Sequence, residues 1–343
     1  MFDARDANIR YVGRVDTRDP VAARFAWPAA GFTFGFRGTS LTLALEDTPL
    51  PDRTEENDWL DIRIDGERVA PIALTSGRHE YRVATGLGRG RHEVQVAKRT
   101  EAEVGTVGLA QITLDRDAIL EPARPLPQRV IELVGDSIST GFGIEGANAD
   151  CPFSAATEDA TRSYGALAAR ALDAEVWIVA WKGKGVLRNN DLAEPDPLPA
   201  LYGRLIPGEA TSPTYTYARH PDVVVLNLGT NDYALSAPPS ADFAAAYGAF
   251  VDRLRALHPR ALLVLAVGPM LFDEGAINYR TLVRNAITTI IAARRARGDS
   301  RVASLELWTD PADGVACQFH PNLVTHQRMA DELVRLIDSE LDW

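Results

Sequence analysis

The hydrophobic pattern of this chain changes near residue 120, and that change limits the fold more than any other feature. Before it, short segments alternate apolar and polar residues, as in "SLTLALED" (40–47) and "WLDIRIDGE" (59–67). Six or more such segments, with no strong helical period, predict an all-β domain, a β-sandwich, over residues 1–120. Three prolines in "EPARPLPQR" predict an exposed linker over residues 121–129.

From residue 130 to residue 343, continuous apolar runs alternate with helical segments. Runs such as "VIELVG" (130–135) and "DVVVLNLG" (222–229) are typical of strands that are buried on both faces. In "SADFAAAYGAFVDRLRAL" (240–257) the apolar residues recur at three- and four-residue steps, which indicates a helix. Five alternations predict an α/β domain with a doubly wound, parallel five-stranded sheet of the flavodoxin-like kind.

Charge and hydropathy exclude several kinds of partner. Lys and Arg number 36 against 47 Asp and Glu, a net charge of −11, so we expect no nucleic-acid partner and no membrane surface. No apolar run approaches the length of about 18 residues that a membrane span needs. The N-terminus, "MFDARDANIRYVGR", has no apolar signal region, so a cytoplasmic protein is expected as the sequence stands. A secreted or periplasmic protein is expected if a leader has been removed. The sequence does not give the oligomeric state.

Four residues that suit acyl transfer follow successive apolar runs. Ser137 follows the first run, Gly183 the second and Asn231 the third, while His320 follows the fifth run and a loop. Because ligands bind at the carboxyl ends of the strands in an open parallel sheet, we expect these residues to meet there. His320 would take the proton of the Ser137 hydroxyl. The oxyanion would be stabilised by the backbone amides of Ser137 and Gly183 and the side-chain amide of Asn231.

Each of these motifs also has a structural interpretation when it is taken alone. Gly-Asp-Ser suits the cap of a helix, and Gly-Thr-Asn-Asp is typical of a turn. Their joint occurrence, in chain order, favours the chemical interpretation. Trp181, Tyr233 and Trp308 also follow predicted strands, where a flat ring would stack on a sugar; core packing is the alternative for each.

The segments around these residues resemble the four blocks of the SGNH (GDSL-type) hydrolase superfamily. They are "IELVGDSISTGFG", "GKGVLRN", "LGTNDY" and "FHPNLVTHQRMADEL". With "YVGRVD" and "FTFGFRGTSLTLAL" in the first domain, the whole chain most resembles carbohydrate esterase family 2, which joins a jelly roll to an SGNH domain. The resemblance implies that acetyl groups are removed from plant cell-wall polysaccharides or oligosaccharides, such as xylan and glucomannan. It also implies a serine acyl-enzyme, and no metal or other cofactor.

The histidine block departs from that resemblance. Most SGNH enzymes have an Asp three residues before the histidine, and some relatives have an acid two residues before it; here these residues are Cys317 and Gln318. A backbone carbonyl can orient the imidazole instead. We therefore expect a Ser–His dyad. Asp313 is the best candidate for a third, carboxylate member, ahead of Asp310 and Glu306.

Two alternatives for the activity and one for the cysteines stay open. An SGNH lipase or thioesterase would act on longer acyl chains, and a non-catalytic protein would only bind carbohydrate. Cys151 and Cys317 are too few for a disulfide framework or a structural zinc site. Without a signal, two unrelated free thiols are expected. A disulfide is the alternative if both loops line the cleft.

Overall fold

The computed structural model describes residues 1–51 and 56–343, which fold into two compact units. The first unit comprises residues 1–126, 154–161 and 204–215, and the second comprises residues 127–153, 162–203 and 216–343. The units are defined by packing and not by chain order, and the domain limits at residues 120 and 130 stay a prediction.

The first unit consists of two antiparallel sheets, which confirms the all-β expectation. Its strands, among the residues described, are β1 (Phe2–Asp3), β2 (Arg10–Val12), β3 (Ala23–Phe25), β4 (Gly31–Arg37), β5 (Leu41–Pro49), β6 (Trp59–Ile64), β7 (Glu67–Arg68), β8 (Ile72–Ala73), β9 (Gly77–Ala84), β10 (Arg91–Lys98), β11 (Gly105–Leu114) and β12 (Ile119–Glu121). One sheet has the order β1-β11-β5-β9, with β3 beside β11. The other has the order β12-β4-β10-β6-β7, with β2 beside β4 and β8 beside β6. In β5, Leu41, Leu43 and Leu45 are buried and alternate with more exposed residues, as period-two patterning requires.

Two later segments of the chain return to this first unit. The buried Arg99 donates from Nε to the carbonyl of Glu158 (3.2 Å), and the amide of Ala160 donates to the carbonyl of Arg99 (2.9 Å). The indole N–H of Trp27, also buried, donates to the carbonyl of Arg204 (3.0 Å). Buried donors therefore find their acceptors in residues that are distant in sequence.

The second unit contains the predicted parallel five-stranded sheet. Its strands are β13 (Arg129–Gly135), β14 (Ala174–Ala180), β15 (Val223–Asn227), β16 (Leu262–Val267) and β19 (Val302–Glu306), in the order β14-β13-β15-β16-β19. A small antiparallel hairpin comprises β17 (Asp273–Glu274) and β18 (Ile277–Asn278). Every residue of β15 and β16 is buried, which explains their continuous apolar runs. The expected doubly wound α/β fold is confirmed.

Helices pack on this sheet. The described helices are α1 (Ser137–Thr140), α2 (Tyr164–Ala171), α3 (Leu198–Leu201), α4 (Ser240–Leu257), α5 (Tyr279–Ala296) and α6 (Leu323–Leu341). α2 packs against α6, and α4 packs against α5. None of the helices in the described part of the chain is both long and apolar enough to cross a membrane.

The register of the strands brings three loops to one edge of the sheet. Gly135, the last residue of β13, pairs with Ala180 of β14 on one side and with Asn227 of β15 on the other. The loops that carry Ser137, Gly183 and Asn231 therefore begin side by side. Position 135 also excludes a side chain, because a Cβ there would lie 2.1 Å from Oγ of Ser139.

Candidate active site

Ser137 is the first residue of α1, in a turn that is held together by its neighbour Asp136. A carboxylate oxygen of Asp136 accepts from the amide of Ile138 (3.0 Å), and its carbonyl accepts from the amides of Ser139 (2.9 Å) and Thr140 (3.1 Å). The amide of Ser137 donates no hydrogen bond to another of the described residues. The first amides of a helix have no partner within the helix, so this N–H is available to an incoming oxygen.

The hydroxyl of Ser137 contacts the imidazole of His320. Oγ of Ser137 lies 2.8 Å from Nε2 of His320, a hydrogen-bond distance. The His320 ring packs on Phe142 with 4.4 Å between ring centroids, and Phe142 stacks on Phe153 at 4.8 Å. The two rings therefore support the imidazole from the side of the serine block.

The second nitrogen of His320 contacts backbone carbonyls. Nδ1 lies 3.2 Å from the carbonyl oxygen of Cys317 and 3.2 Å from that of Gln318. Carbonyls only accept, so Nδ1 carries the hydrogen in the tautomer that this network assigns. Nε2 is then left with its lone pair towards Oγ of Ser137, as a general base requires. This arrangement is the expected dyad.

The candidate carboxylates for a third member lie elsewhere, and the prediction for Asp313 is wrong. Asp313 pairs with Arg328, at 2.8 Å between Oδ1 and Nη2, and Arg328 also pairs with Asp310 at 3.2 Å. Glu306 pairs with Arg280 at 2.9 Å and with a second arginine. The three carboxylates are thus paired with arginine side chains. The contacts of Nδ1 of His320 are carbonyl oxygens instead.

Burial keeps the imidazole of His320 neutral. Burial is the largest cause that lowers the pKa of His320, the two carbonyl bonds raise it, and the ammonium of Lys182 lowers it; together they place this pKa at about 4. Nζ of Lys182 lies 4.1 Å from the centre of the Phe153 ring, which attracts a cation. The base is therefore in its proton-accepting form at neutral pH.

Gly183 and Asn231 lie at the same edge of the sheet. Gly183 has φ of +74°, and a Cβ there would lie 2.6 Å from Oδ1 of Asn190, so a side chain is excluded on both grounds. Nδ2 of Asn231 donates to the carbonyl of Lys184 (3.0 Å) and to Oδ2 of Asp136 (3.3 Å). Both amide hydrogens are thus engaged.

Asp232 connects the loop of Gly183 to the turn of Asn231. Its carboxylate accepts from three consecutive backbone amides, those of Val186 (3.0 Å), Leu187 (2.7 Å) and Arg188 (3.1 Å). Burial raises the pKa of Asp232, while these amides lower it. Burial, together with the charge of Asp232, raises the pKa of Asp136 to about 7. In the described residues no group of three His, Cys, Asp or Glu side chains is arranged to hold a metal ion.

Comparison with known proteins identifies the family. The chain matches a model of the carbohydrate esterase 2 N-terminal domain over residues 11–123 and one of the GDSL-like lipase/acylhydrolase family over residues 133–328. The crystal structure of a family 2 carbohydrate esterase with a carbohydrate-binding domain, from Corynascus thermopiles (Myceliophthora fergusii), is 32% identical. The match covers 98% of this chain and 100% of that chain, with a TM-score of 0.82. The chain belongs to carbohydrate esterase family 2.

Curated relatives of this family 2 member are esterases. The cellulase/esterase CelE of Acetivibrio thermocellus is 29% identical over 99% of this chain, which spans 40% of the length of CelE. An acetylxylan esterase / glucomannan deacetylase of Cellvibrio japonicus is 29% identical over 99% of this chain and 91% of that protein. Like these relatives, this family 2 member is a carboxylic-ester hydrolase.

The three aromatic candidates of this family 2 esterase have different surroundings. Tyr233 is 2% exposed and packs against Phe243 and Tyr279, so its prediction as a sugar platform is wrong. Trp181 is half-buried, and the ammonium of Lys184 lies 5.5 Å from its ring. Trp308 is 58% exposed. A position after a strand does not determine whether a ring faces solvent or the core.

Trp308 is exposed, but a buried arginine stacks on its ring. The guanidinium of Arg280 lies 3.5 Å from the centre of its ring, and Arg280 itself is buried. Arg280 donates to the carbonyls of Gly268 (3.1 Å) and Leu307 (3.0 Å). The ring borders a pocket of about 350 Å³ that is also lined by Asp310 and other polar residues. An exposed ring with polar neighbours suits a sugar face.

The two cysteines of this family 2 esterase form a disulfide, so the expectation of two free thiols is wrong. Cys151 and Cys317 are bonded across 166 residues of sequence. The sequence also did not predict that Phe142 and Phe153 support the imidazole. Phe142 lies in the "STGFG" part of the serine block, but sequence alone does not indicate what a ring contacts.

Proposed function

We propose that this esterase removes acetyl groups from acetylated plant cell-wall polysaccharides or oligosaccharides, such as xylan and glucomannan. The observation that carries the proposal is the 2.8 Å contact between Oγ of Ser137 and Nε2 of His320. The relative from Cellvibrio japonicus, named for acetylxylan and glucomannan, supports this substrate class. Ser137 is then the nucleophile and His320 the general base.

In the first half of the reaction the acetyl group moves to the enzyme. Oγ of Ser137 attacks the acetyl carbonyl carbon while its proton passes to Nε2 of His320. The carbonyl oxygen becomes an oxyanion, which accepts from the amides of Ser137 and Gly183 and from the side chain of Asn231. The imidazolium donates its proton to the sugar oxygen as the ester C–O bond breaks. A sugar with a free hydroxyl leaves, and an acetyl-serine remains.

In the second half a water molecule restores the enzyme. His320 takes a proton from the water, which attacks the acetyl-serine carbonyl through a second oxyanion. The imidazolium returns a proton to Oγ of Ser137, and acetate leaves. In both halves the carbonyls of Cys317 and Gln318 hold the N–H of Nδ1 and so keep Nε2 directed at the serine.

The test compares the wild type with Ser137→Ala on acetylated xylan, acetylated glucomannan and chromogenic esters of acetate, butyrate and octanoate. We expect acetate release by the wild type, a steep fall in kcat/KM beyond acetate, and loss of turnover in the variant by roughly 10⁴-fold or more. Wild-type turnover by Ser137→Ala would overturn the assignment of the nucleophile. Preference for octanoate would indicate a lipase-like enzyme instead. Glycan binding without ester hydrolysis would indicate a binding protein.

We also infer that Trp308 binds a sugar unit of a polymeric substrate away from the scissile ester. Three strand steps separate β13, which leads to Ser137, from β19, which leads to Trp308, or roughly 14 Å at the usual strand spacing. Trp308→Ala should lower kcat/KM on acetylated polymer by about three- to tenfold, which corresponds to one stacking contact. Hydrolysis of a small chromogenic acetate is the internal control and should not change. Equal loss on both substrates would contradict the inference.

We further propose that the enzyme works outside the cytoplasm. Its proposed substrate lies in the plant cell wall, and disulfides such as Cys151–Cys317 persist in oxidising compartments. Detection of the protein by antibody in fractions of the source organism tests this, and recovery confined to the reducing cytoplasm would contradict it.

A further inference from the structure

The loop that carries His320 has an unusual backbone. Gln318 has φ of +53° and Phe319 has φ of +62°, so two consecutive residues other than glycine adopt the left-handed conformation. Such residues are uncommon and persist where the surroundings hold them. Phe319 is 69% exposed, so its side chain contributes little to holding the loop. Its support must come from other contacts of residues 316–320.

Residues 143–151, which follow the serine turn, supply contacts to this loop in addition to its own backbone bonds. The Cys151–Cys317 disulfide joins the two segments, and Cys317 is fully buried. The amide of Gln318 donates to the carbonyl of Ala149 (3.0 Å). Gly146 leaves room for the disulfide, because a Cβ there would lie 2.2 Å from Sγ of Cys317. The histidine loop therefore rests on the segment after Ser137.

The disulfide acts on the residue that contacts the imidazole. Sγ of Cys317 is in the S–S bond, while the carbonyl of the same residue lies 3.2 Å from Nδ1 of His320. Fixing the Cα of Cys317 thus limits the directions that its carbonyl can take.

We propose that the Cys151–Cys317 disulfide positions His320 for catalysis and that the esterase reaches its full rate only when the two cysteines are oxidised. The carbonyls of Cys317 and Gln318 have the orienting role that a carboxylate has in a Ser–His–Asp triad, and the disulfide holds the first of them in place. Cys151 and Cys317 are positioning residues, since they act on Ser137 through His320. This inference rests on the proposed function of that pair. A dithiol reductant cleaves the S–S bond to two thiols and is itself oxidised to a disulfide.

The experiment measures kcat and KM on a chromogenic acetate for oxidised wild type, wild type reduced with dithiothreitol, and Cys151→Ala, Cys317→Ala and the double variant. We expect kcat to fall at least about tenfold on reduction and in each variant, with KM within about twofold, because the imidazole is misdirected while the substrate site persists. The double variant should match the single variants and should not respond to reductant. Reoxidation of the wild type should restore kcat.

Two controls separate positioning from loss of the fold and from failure of the proposed function. Circular dichroism at the assay temperature selects samples that keep the native spectrum, and the labelling rate of Ser137 by a fluorophosphonate reports its activation by His320 without any sugar ester. Slower labelling of natively folded, reduced protein supports the inference even if acetate esters prove not to be substrates. Unchanged kcat and labelling, with only a lower melting temperature, would overturn it.

Discussion

Oγ of Ser137 and Nε2 of His320 lie 2.8 Å apart, but the segments that carry these two residues are stabilised differently. The serine turn is local, since the amides of the next three residues all bond to Asp136. The histidine loop has local bonds as well, from the amide of Ala316 to the carbonyl of His320 (2.8 Å) and from the amide of His320 to that of Cys317 (3.1 Å). Unlike the serine turn, it is also held by a disulfide that spans 166 residues and by a carbonyl of the segment after the serine. We therefore expect substitutions outside the active site to displace His320 more readily than Ser137.

The largest effect is expected from removal of the base, which also tests whether Ser137 and His320 act as one unit. His320→Ala should lower kcat by roughly 10⁴-fold or more, and Ser137→Ala/His320→Ala should be no worse than either single variant, because each residue needs the other. Steady-state kinetics on a chromogenic acetate measures all three. Additive losses in the double variant would mean that the two residues work independently.

A smaller but still large effect is expected from a methyl group under the histidine loop. In Gly146→Ala, the new Cβ would lie 2.2 Å from Sγ of Cys317 and 2.6 Å from Sγ of Cys151, so the loop must move. We expect kcat to fall about 100-fold, since a displacement of about 1 Å has that cost. Gly90→Ala is the matched control, because a Cβ there meets nothing within 4 Å. Wild-type kcat in Gly146→Ala would contradict the dependence on distant contacts.

The serine turn should be the more tolerant of the two segments. Asp136→Ala removes the acceptor for the amide of Ile138 and should lower the free energy of unfolding by about 1 kcal/mol. Asp136→Asn keeps an oxygen for that amide and should lose less. Urea denaturation measures the stability, and kcat should fall less than in Gly146→Ala. A larger loss of kcat in Asp136→Asn than in Gly146→Ala would reverse the comparison.

The smallest effect concerns the charge beside the base. Only neutral His320 accepts a proton, so kcat/KM should fall as the pH drops through its lowered pKa of about 4. Lys182→Met removes a positive charge that disfavours the imidazolium and keeps an apolar side chain beside Phe153. The pKa of His320 should then rise, and the acid limb should move to higher pH with a similar plateau. An acid limb at the same pH as in the wild type, or at a lower pH, would exclude this role for Lys182.

The sequence predicts those parts that local pattern determines. The parallel five-stranded sheet, and the placement of the loops of Ser137, Gly183 and Asn231 at one edge of it, follow from apolar runs whose carboxyl ends meet there. The support of His320 could not be predicted, because it depends on contacts between residues far apart in sequence. Tyr233 shows a related limit: position after a strand is visible in a sequence, but the direction of a ring is set by packing.

Asp232 accepts hydrogen bonds from three consecutive main-chain amides, those of residues 186–188. Any residue except proline offers the same N–H, so these three hydrogen bonds do not depend on which side chains residues 186–188 carry. The carboxylate has no such freedom, since its loss would release the segments of Gly183 and Asn231 together. One buried carboxylate therefore couples two segments of the active site through main-chain groups alone.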